Sequence, residues 1–186
     1  MGDVRKNVHD SRSPLKYRIP KVKGAHDPVK VLHAQGYLAH PAIEHEDTWF
    51  ERPQGALLGS IVLRRVLSTG QWTMAWETTI RTGDEAEKHH LWTKVDGPAM
   101  WARLERLGMN PVTTIRSTRT AMNKGPHQVA LERVRRMGDF LELPGIGRDG
   151  AIRHEFSDLL HHLGAKGPPE PRSYRELFAA RSAPVT

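Results

Sequence analysis

The stretch VALERVRRMGDFLEL, residues 129–143, is the feature that most constrains what this chain can fold into. In its first half, successive side chains point to opposite sides, which is the period of a β-strand. The Arg-Arg-Met-Gly sequence then predicts a turn, because glycine adopts backbone conformations that other residues avoid. Asp139–Leu143 reads as a second short strand. We therefore predict a β-hairpin with one carboxylate on each strand, Glu132 and Glu142.

Two carboxylates aimed at one space are candidates for catalysis or for holding a cation. An ordinary hairpin edge carries the same pattern, so residues 129–143 by themselves leave both interpretations open.

The remaining elements are predicted from the same kinds of pattern. Alternation or β-branched residues indicate strands at Pro14–Ile19, Ile61–Leu67, Gln71–Ile80, His89–Val95 and Pro111–Met122. Helical spacing, N-caps and terminal glycines indicate helices at Pro28–Tyr37, Ala99–Leu107 and Ala151–Leu163, and Ser173 is predicted to cap a short last helix. We expect a charged loop at Thr82–Lys88 and a solvated turn at the acidic and histidine-containing sequence EHED, residues 44–47.

About eight strands and four helices make this an α+β chain. Several predicted strands have one charged face and one apolar face; in Pro14–Ile19, Lys16 and Arg18 share a side. This pattern fits an antiparallel eight-stranded β-barrel with a polar interior and helices packed outside. We expect one domain at residues 14–180, a flexible basic tail at 1–13 and a short tail at 181–186.

The charge balance favours an anionic partner. Lys and Arg number 28 against 21 Asp and Glu, and the sequence pI is about 10.0. There is no cysteine, so no disulfide or zinc–thiolate site can form. No apolar run is long enough to span a bilayer, and no signal-peptide pattern opens the chain. We expect a cytoplasmic protein that does not bind membranes and whose partner is an anionic small molecule in preference to nucleic acid; the sequence is compatible with a homodimer.

Several segments, in order along the chain, resemble motifs of the CYTH superfamily, which comprises class IV adenylate cyclases and thiamine triphosphatases. ALERVRRMGDFLEL is similar to the family's LDxVxxLGxFxEIE, and RSYRELF is similar to its terminal SYxxLL. EDTWFE, VLRRV and MAWET are similar to DxYFD, LRxR and LTxKG. The resemblance extends from about Pro14 to Phe178. It implies an antiparallel tunnel in which Lys and Arg hold a triphosphate and Glu hold Mg²⁺ or Mn²⁺.

Carried over position by position, the resemblance implies these roles. The substrate-binding cations are Lys16, Arg18, Arg64, Lys94, Arg116 and Arg119, with Arg64 preferred to Arg65 as the tunnel-facing arginine. The candidate metal ligands are Glu132 and Glu142, which are also candidate catalytic residues. Glu77 and His90 stand where the family has other residues, and they are candidate catalytic residues only for a chemistry without metal. The sequence departs from the family in its first motif, ExExK, where Arg12 and Pro14 replace both acids. Glu77 replaces the lysine of LTxKG, which reverses the charge at a phosphate ligand.

These departures leave three functions open. The first is the family's metal-dependent triphosphate hydrolysis or cyclisation. The second is a metal-independent enzyme in which Glu77, Glu132, Glu142 or His90 acts as a general acid or base on a small molecule. The third is a non-catalytic module that binds a nucleotide or RNA.

Overall fold

The computed structural model describes residues 14–20, 27–51, 59–82, 85–144 and 151–182. Within these ranges it contains nine strands and four helices. The strands are β1 (Leu15–Ile19), β2 (Leu38–Ala39), β3 (Ile43–Glu51), β4 (Gly59–Val66), β5 (Trp72–Thr82), β6 (Glu85–Val95), β7 (Asn110–Lys124), β8 (His127–Val134) and β9 (Gly138–Leu143). The helices are α1 (Pro28–Ala34), α2 (Gly97–Arg106), α3 (Ala151–His162) and α4 (Tyr174–Ser182).

The strands form one antiparallel sheet, so the predicted α+β class is confirmed. Its order is β1-β9-β8-β7-β3-β4-β5-β6, and the short β2 pairs with β7. Among the described residues, β1 and β6 are the two ends of this path and do not pair with each other. The predicted barrel is therefore a long antiparallel sheet that backbone hydrogen bonds do not close.

The predicted hairpin at residues 129–143 is present as β8 and β9. Glu132 pairs with Phe140, and Ala130 pairs with Glu142, so both carboxylates lie on one face of the sheet. The turn uses left-handed backbone at Arg136 (φ 67°) as well as at Gly138 (φ 108°). Glycine tolerates this conformation without strain, whereas arginine rarely adopts it.

Two predicted irregular segments are strands instead. The predicted loop at Thr82–Lys88 was wrong, because β6 begins at Glu85 and pairs with β5 over eleven residue pairs. Residues 83–84 of this segment lie outside the described residues. The predicted solvated turn at residues 44–47 was also wrong. Those residues belong to β3, which lies between β4 and β7, so both of its edges are hydrogen-bonded within the sheet.

Helices α1, α2 and α3 cover the apolar face of the sheet. Leu32 of α1 and Phe156 of α3 pack with Leu131 and Leu141 of the hairpin. On the other half of the same face, Leu104 of α2 packs with residues of β3 and β4. Burial of these side chains stabilises the sheet from one side, at about 25 cal/mol per Å² of apolar surface removed from water.

Helix α4 lies on the opposite, polar face. Its Leu177 packs with Trp49, Val134 and Phe140, all of which share a face with Glu132. The chain reaches this face along the β1 edge, where the backbone N–H of Glu170 donates to the carbonyl of Lys16. The sequence predicted all four helices outside the sheet, whereas this one covers part of the predicted polar interior.

Candidate functional site

The hairpin and β7 place three ionised side chains at the centre of the polar face. Arg119 is opposite Glu132 in the β7–β8 register, and Glu142 lies on the next strand. The Nη1 group of Arg119 donates to Glu132 Oε2 at 3.0 Å and to Glu142 Oε2 at 2.6 Å. Both carboxylates are buried, and the Arg119 side chain is 39% exposed. One guanidinium therefore bridges two acids that the sequence predicted to share a space.

The pKa values of Glu132 and Arg119 are both shifted by burial and by their neighbours. Burial, and next the neighbouring Glu142, raise the pKa of Glu132 above its ordinary value, while Arg119 opposes this shift. Burial alone would lower the pKa of Arg119, but Glu142 and Glu132 raise it, so Arg119 stays protonated. The cluster thus contains a permanent cation and a carboxylate that accepts a proton more readily than usual.

Three residues that sequence reasoning missed complete this cluster. Tyr174 of α4 donates its hydroxyl hydrogen to Glu142 Oε1 at 2.9 Å. Burial and Glu142 raise the pKa of Tyr174 well above its ordinary value, so this hydroxyl remains a donor. His45 Nε2 lies 2.9 Å from Ser117 Oγ and 3.4 Å from Glu132 Oε1.

His45 is neutral at pH 7. Burial, and next the positive charge of Arg64, lower the pKa of His45 to about 4. Its contact with Glu132 is therefore not an ion pair, and the buried Glu132 Oε1 atom has no hydrogen-bond partner among the described residues. This oxygen is the least satisfied polar atom of the cluster, and it faces a histidine that can donate or accept a proton.

A second ion pair lies beside the cluster. Arg64 Nε and Nη2 donate to the two carboxylate oxygens of Asp47, each at 2.7 Å, and the guanidinium lies 4.4 Å from the centre of the Trp92 ring. Arg64 is on the face of Arg119, whereas Arg65 is on the other face above Trp72. The tunnel-facing role given to Arg64 thus has the matching orientation.

Three of the other predicted cations also lie on the polar face. Lys16 and Arg18 share the polar face with Glu142, and Lys94 follows Arg64 across the sheet through Thr73. Lys16 contacts the Arg172 carbonyl and the Tyr174 ring, while Arg18 donates to the Met137 carbonyl at 2.8 Å.

Arg116 is the exception among these cations. Because it is three positions from Arg119 on β7, it lies on the opposite face, where it pairs with Glu46 at 3.1 Å. It does not join the Arg119 cluster.

Glu77 and His90 pair with each other in the β5–β6 register, on the polar face by strand period. Their side chains lie outside the described part of the structure. The predicted catalytic roles of these two residues stay predictions.

The described acids do not fit a divalent cation held between Glu132 and Glu142. The resemblance assigns that position to Mg²⁺ or Mn²⁺, but here the Nη1 group of Arg119 contacts both carboxylates. Mg²⁺ binds through oxygen atoms, and of the four carboxylate oxygens here only Glu132 Oε1 has no hydrogen bond among the described residues. No group of three or more His, Asp or Glu suitable for a metal occurs among the described residues.

Comparisons with known proteins agree on the fold. No family model matches the chain. Adenylate cyclase CyaB from Aeromonas hydrophila is 29% identical over 142 residues, which cover 72% of each protein. The PH1012 protein from Pyrococcus horikoshii OT3 superposes with a TM-score of 0.69 at 24% identity, covering 89% of this chain and 98% of the other.

HpAC1 from Hippeastrum, described as a putative adenylyl cyclase with a dominant triphosphatase activity, has a TM-score of 0.71 at 10% identity and covers 92% of this chain and 97% of its own. Likeness at these identities establishes the fold over nearly the whole chain. Separately, no helix among the described residues is long and apolar enough to cross a membrane.

Proposed function

We propose, for a chain that is related to the CYTH superfamily as its motifs indicate, that the polar face of the sheet binds a triphosphate-bearing small anion and promotes its hydrolysis or cyclisation. The observation that carries this proposal is the buried Arg119 cluster, on a face that also presents Lys16, Arg18, Arg64 and Lys94. CyaB and HpAC1 are described by activities on triphosphates, which supports this substrate class.

Arg119 is suited to this role because of how its hydrogen bonds are distributed. Arg119 contacts both carboxylates through Nη1, and its side chain is partly exposed. Glu132 and Glu142 therefore orient the guanidinium, while its other N–H groups do not bond to them. A guanidinium held in this way meets phosphate oxygens without reorganising. Phosphoryl and adenylyl transfer depend mainly on positioning and charge neutralisation, which fixed cations supply.

Trp92 favours a nucleoside triphosphate over inorganic triphosphate. Its side chain is on the polar face, is 38% exposed, and lies under the Arg64 guanidinium. An exposed indole beside cations can stack a nucleobase, an interaction of about 1–3 kcal/mol per base. The base would then lie near Arg64 and the phosphates nearer Arg119.

Calorimetric titration with ATP and with inorganic triphosphate, each with Mg²⁺ and with EDTA, tests the proposal. We expect both ligands to bind, and Arg119→Gln to weaken both, because that guanidinium would contact phosphate in each. Trp92→Ala should weaken ATP alone. Lack of binding by either ligand in either buffer would refute the proposal, and equal loss of both ligands in Trp92→Ala would refute the placement of the base.

Glu132 supports a second candidate, in which a proton transfer without metal drives the reaction. Its raised pKa and its unbonded Oε1 atom, 3.4 Å from neutral His45, fit a general acid or base. Turnover of ATP or triphosphate in EDTA should then depend on pH through Glu132 and vanish in Glu132→Gln. Glu105→Gln, an exposed acid on α2, is the matched control and should retain the activity. Activity in EDTA that survives Glu132→Gln would eliminate this candidate.

A further inference from the structure

A cavity of about 210 Å³ lies where the β8–β9 turn, the β3–β7 pair and α4 meet. Three arginines line it: Arg116 from β7, and Arg135 and Arg136 from the turn. Glu46 and Phe178 are also in its wall. None of the wall residues belongs to the cluster of Arg119, Glu132 and Glu142.

The wall carries more positive charge than its one carboxylate can balance. Arg116 Nη2 pairs with Glu46 at 3.1 Å. Arg135 and Arg136 are exposed, and within the described residues neither side chain forms an ion pair. Three guanidinium groups around one acid leave a net positive concavity, which attracts anions.

Arg116 also has an unsatisfied donor in this wall. Its Nε atom is buried and has no hydrogen-bond partner among the described residues. A buried N–H without an acceptor is costly, more so when the group is charged. The Arg116 side chain as a whole is 41% exposed, so an anion in the cavity would meet its exposed atoms rather than the buried Nε.

The turn holds its arginines in place through the backbone. The N–H of Arg135 donates to the Arg116 carbonyl at 2.9 Å, and the Arg181 guanidinium of α4 contacts the Arg136 carbonyl. The turn is thus tied both to β7 and to α4. The three arginines of the cavity are therefore carried by two elements, β7 and the turn, and α4 helps to fix the turn.

We propose that this cavity is a second anion site, separate from the Arg119 cluster, that takes a small phosphate or pyrophosphate group. Arginine favours phosphate because its planar guanidinium can donate two parallel hydrogen bonds to it. Thr114 adds a side-chain hydroxyl to the wall, and Phe178 adds an apolar surface. The sequence predicted that Arg116 binds an anionic ligand, and in this proposal it does so in the cavity rather than beside Arg119. This site does not depend on the function proposed for the polar face.

Calorimetric titration of the full chain with inorganic phosphate and with pyrophosphate tests the site. In Arg135→Gln/Arg136→Gln, we expect pyrophosphate affinity to fall by about tenfold or more, because two charged donors are lost. Arg133→Gln is the matched control. Arg133 is an exposed arginine of the same hairpin that pairs with Asp139 and does not line the cavity, so affinity should stay within about twofold.

Glu46→Gln provides a test of opposite sign. Removing the carboxylate frees Arg116 and makes the cavity more positive, so pyrophosphate should bind more tightly, by about threefold or more, as expected from loss of a repulsive charge at this range. Because this variant predicts a gain, misfolding cannot imitate it. Thermal unfolding of each variant shows that the fold is kept.

Arg119→Gln separates this site from the Arg119 cluster. Pyrophosphate binding that persists in Arg119→Gln and is lost in Arg135→Gln/Arg136→Gln assigns the ligand to the cavity. Three results would each overturn the proposal. The first is binding that is lost in Arg119→Gln and kept in Arg135→Gln/Arg136→Gln, the second is equal affinity in the double variant and the wild type, and the third is weaker binding in Glu46→Gln. Absence of binding to the wild-type chain would overturn it as well.

Discussion

Replacing Arg119 with methionine tests whether one guanidinium holds the two acids of the hairpin together. The substitution keeps an unbranched, partly apolar side chain and removes the charge. Glu132 and Glu142, with side-chain exposures of 3% and 8%, then lose the donor that lies 3.0 and 2.6 Å from them. Two buried carboxylates on neighbouring strands would face each other without a cation.

The size of the effect follows from this geometry. Breaking a buried ion pair by removing one partner costs about 3–5 kcal/mol. Because the Arg119 side chain is 39% exposed, solvent screens part of the interaction, and we expect a loss of about 2–3 kcal/mol. For a chain of 186 residues, this lowers the melting temperature by about 4–12 °C.

The loss should grow with pH. Without Arg119, which lowers it, the pKa of Glu132 rises further above its unfolded value. The stability that the protonated Glu132 contributes is present at low pH and is lost as pH rises through the folded pKa. Denaturant unfolding at pH 5 and at pH 8 should therefore give a smaller difference from wild type at pH 5.

Arg133→Met is the control, since Arg133 is an exposed arginine of β8 paired with Asp139, and we expect it to cost at most about 1 kcal/mol. Adding Glu142→Gln to Arg119→Met should recover part of the loss. The reasoning fails if Arg119→Met is no less stable than Arg133→Met at pH 8, or if its loss is the same at both pH values.

Three further substitutions test other parts of the structure. Gly97→Ala should lower the free energy of unfolding by about 1–3 kcal/mol, because its Cβ would lie 2.1 Å from the Trp72 ring, and calorimetry should show a smaller penalty in a Trp72→Leu background; an equal penalty would contradict the contact. Tyr174→Phe removes a donor to a buried carboxylate and should cost about 1–2 kcal/mol in denaturant unfolding, while a change below about 0.5 kcal/mol would argue against the bond to Glu142. Glu132→Gln should become more stable relative to wild type as pH rises above 4.5, because the folded-state pKa of Glu132 is raised above that ordinary value and wild-type stability falls between the two pKa values. A difference in unfolding free energy that does not change with pH would contradict the raised pKa.

The parts of the fold that a local pattern encodes were predicted. Strand β1 and the hairpin of β8 and β9 follow from alternation, because side-chain direction in a strand depends only on the parity of the position. The ends of α2 follow from Asp96, whose side chain accepts from the Ala99 N–H, and from Gly108 in left-handed backbone. These signals act within a few residues.

The acidic sequence at residues 44–47 shows where this reasoning fails. His45 and Asp47 are buried, but both are polar, and the adjacent residues Glu44 and Glu46 are acidic, so the segment shows no alternation of apolar and polar residues. They are buried because β3 lies between β4 and β7, with partners such as Arg64 and Ser117 far away in sequence. Long-range pairing, rather than residue type, determines that this segment is part of the site.

The hairpin at residues 129–143 and the shared face of Glu132 and Glu142 are encoded locally, since both depend on a period of two along one short stretch. The contacts of those acids depend instead on how the strands and helices assemble. Arg119 reaches them because β7 pairs with β8, and Tyr174 reaches Glu142 because α4 returns to the polar face after the sheet is complete. The physical reason is that attraction between buried charges depends on their separation and must offset the cost of desolvation, and both quantities are properties of the assembled sheet.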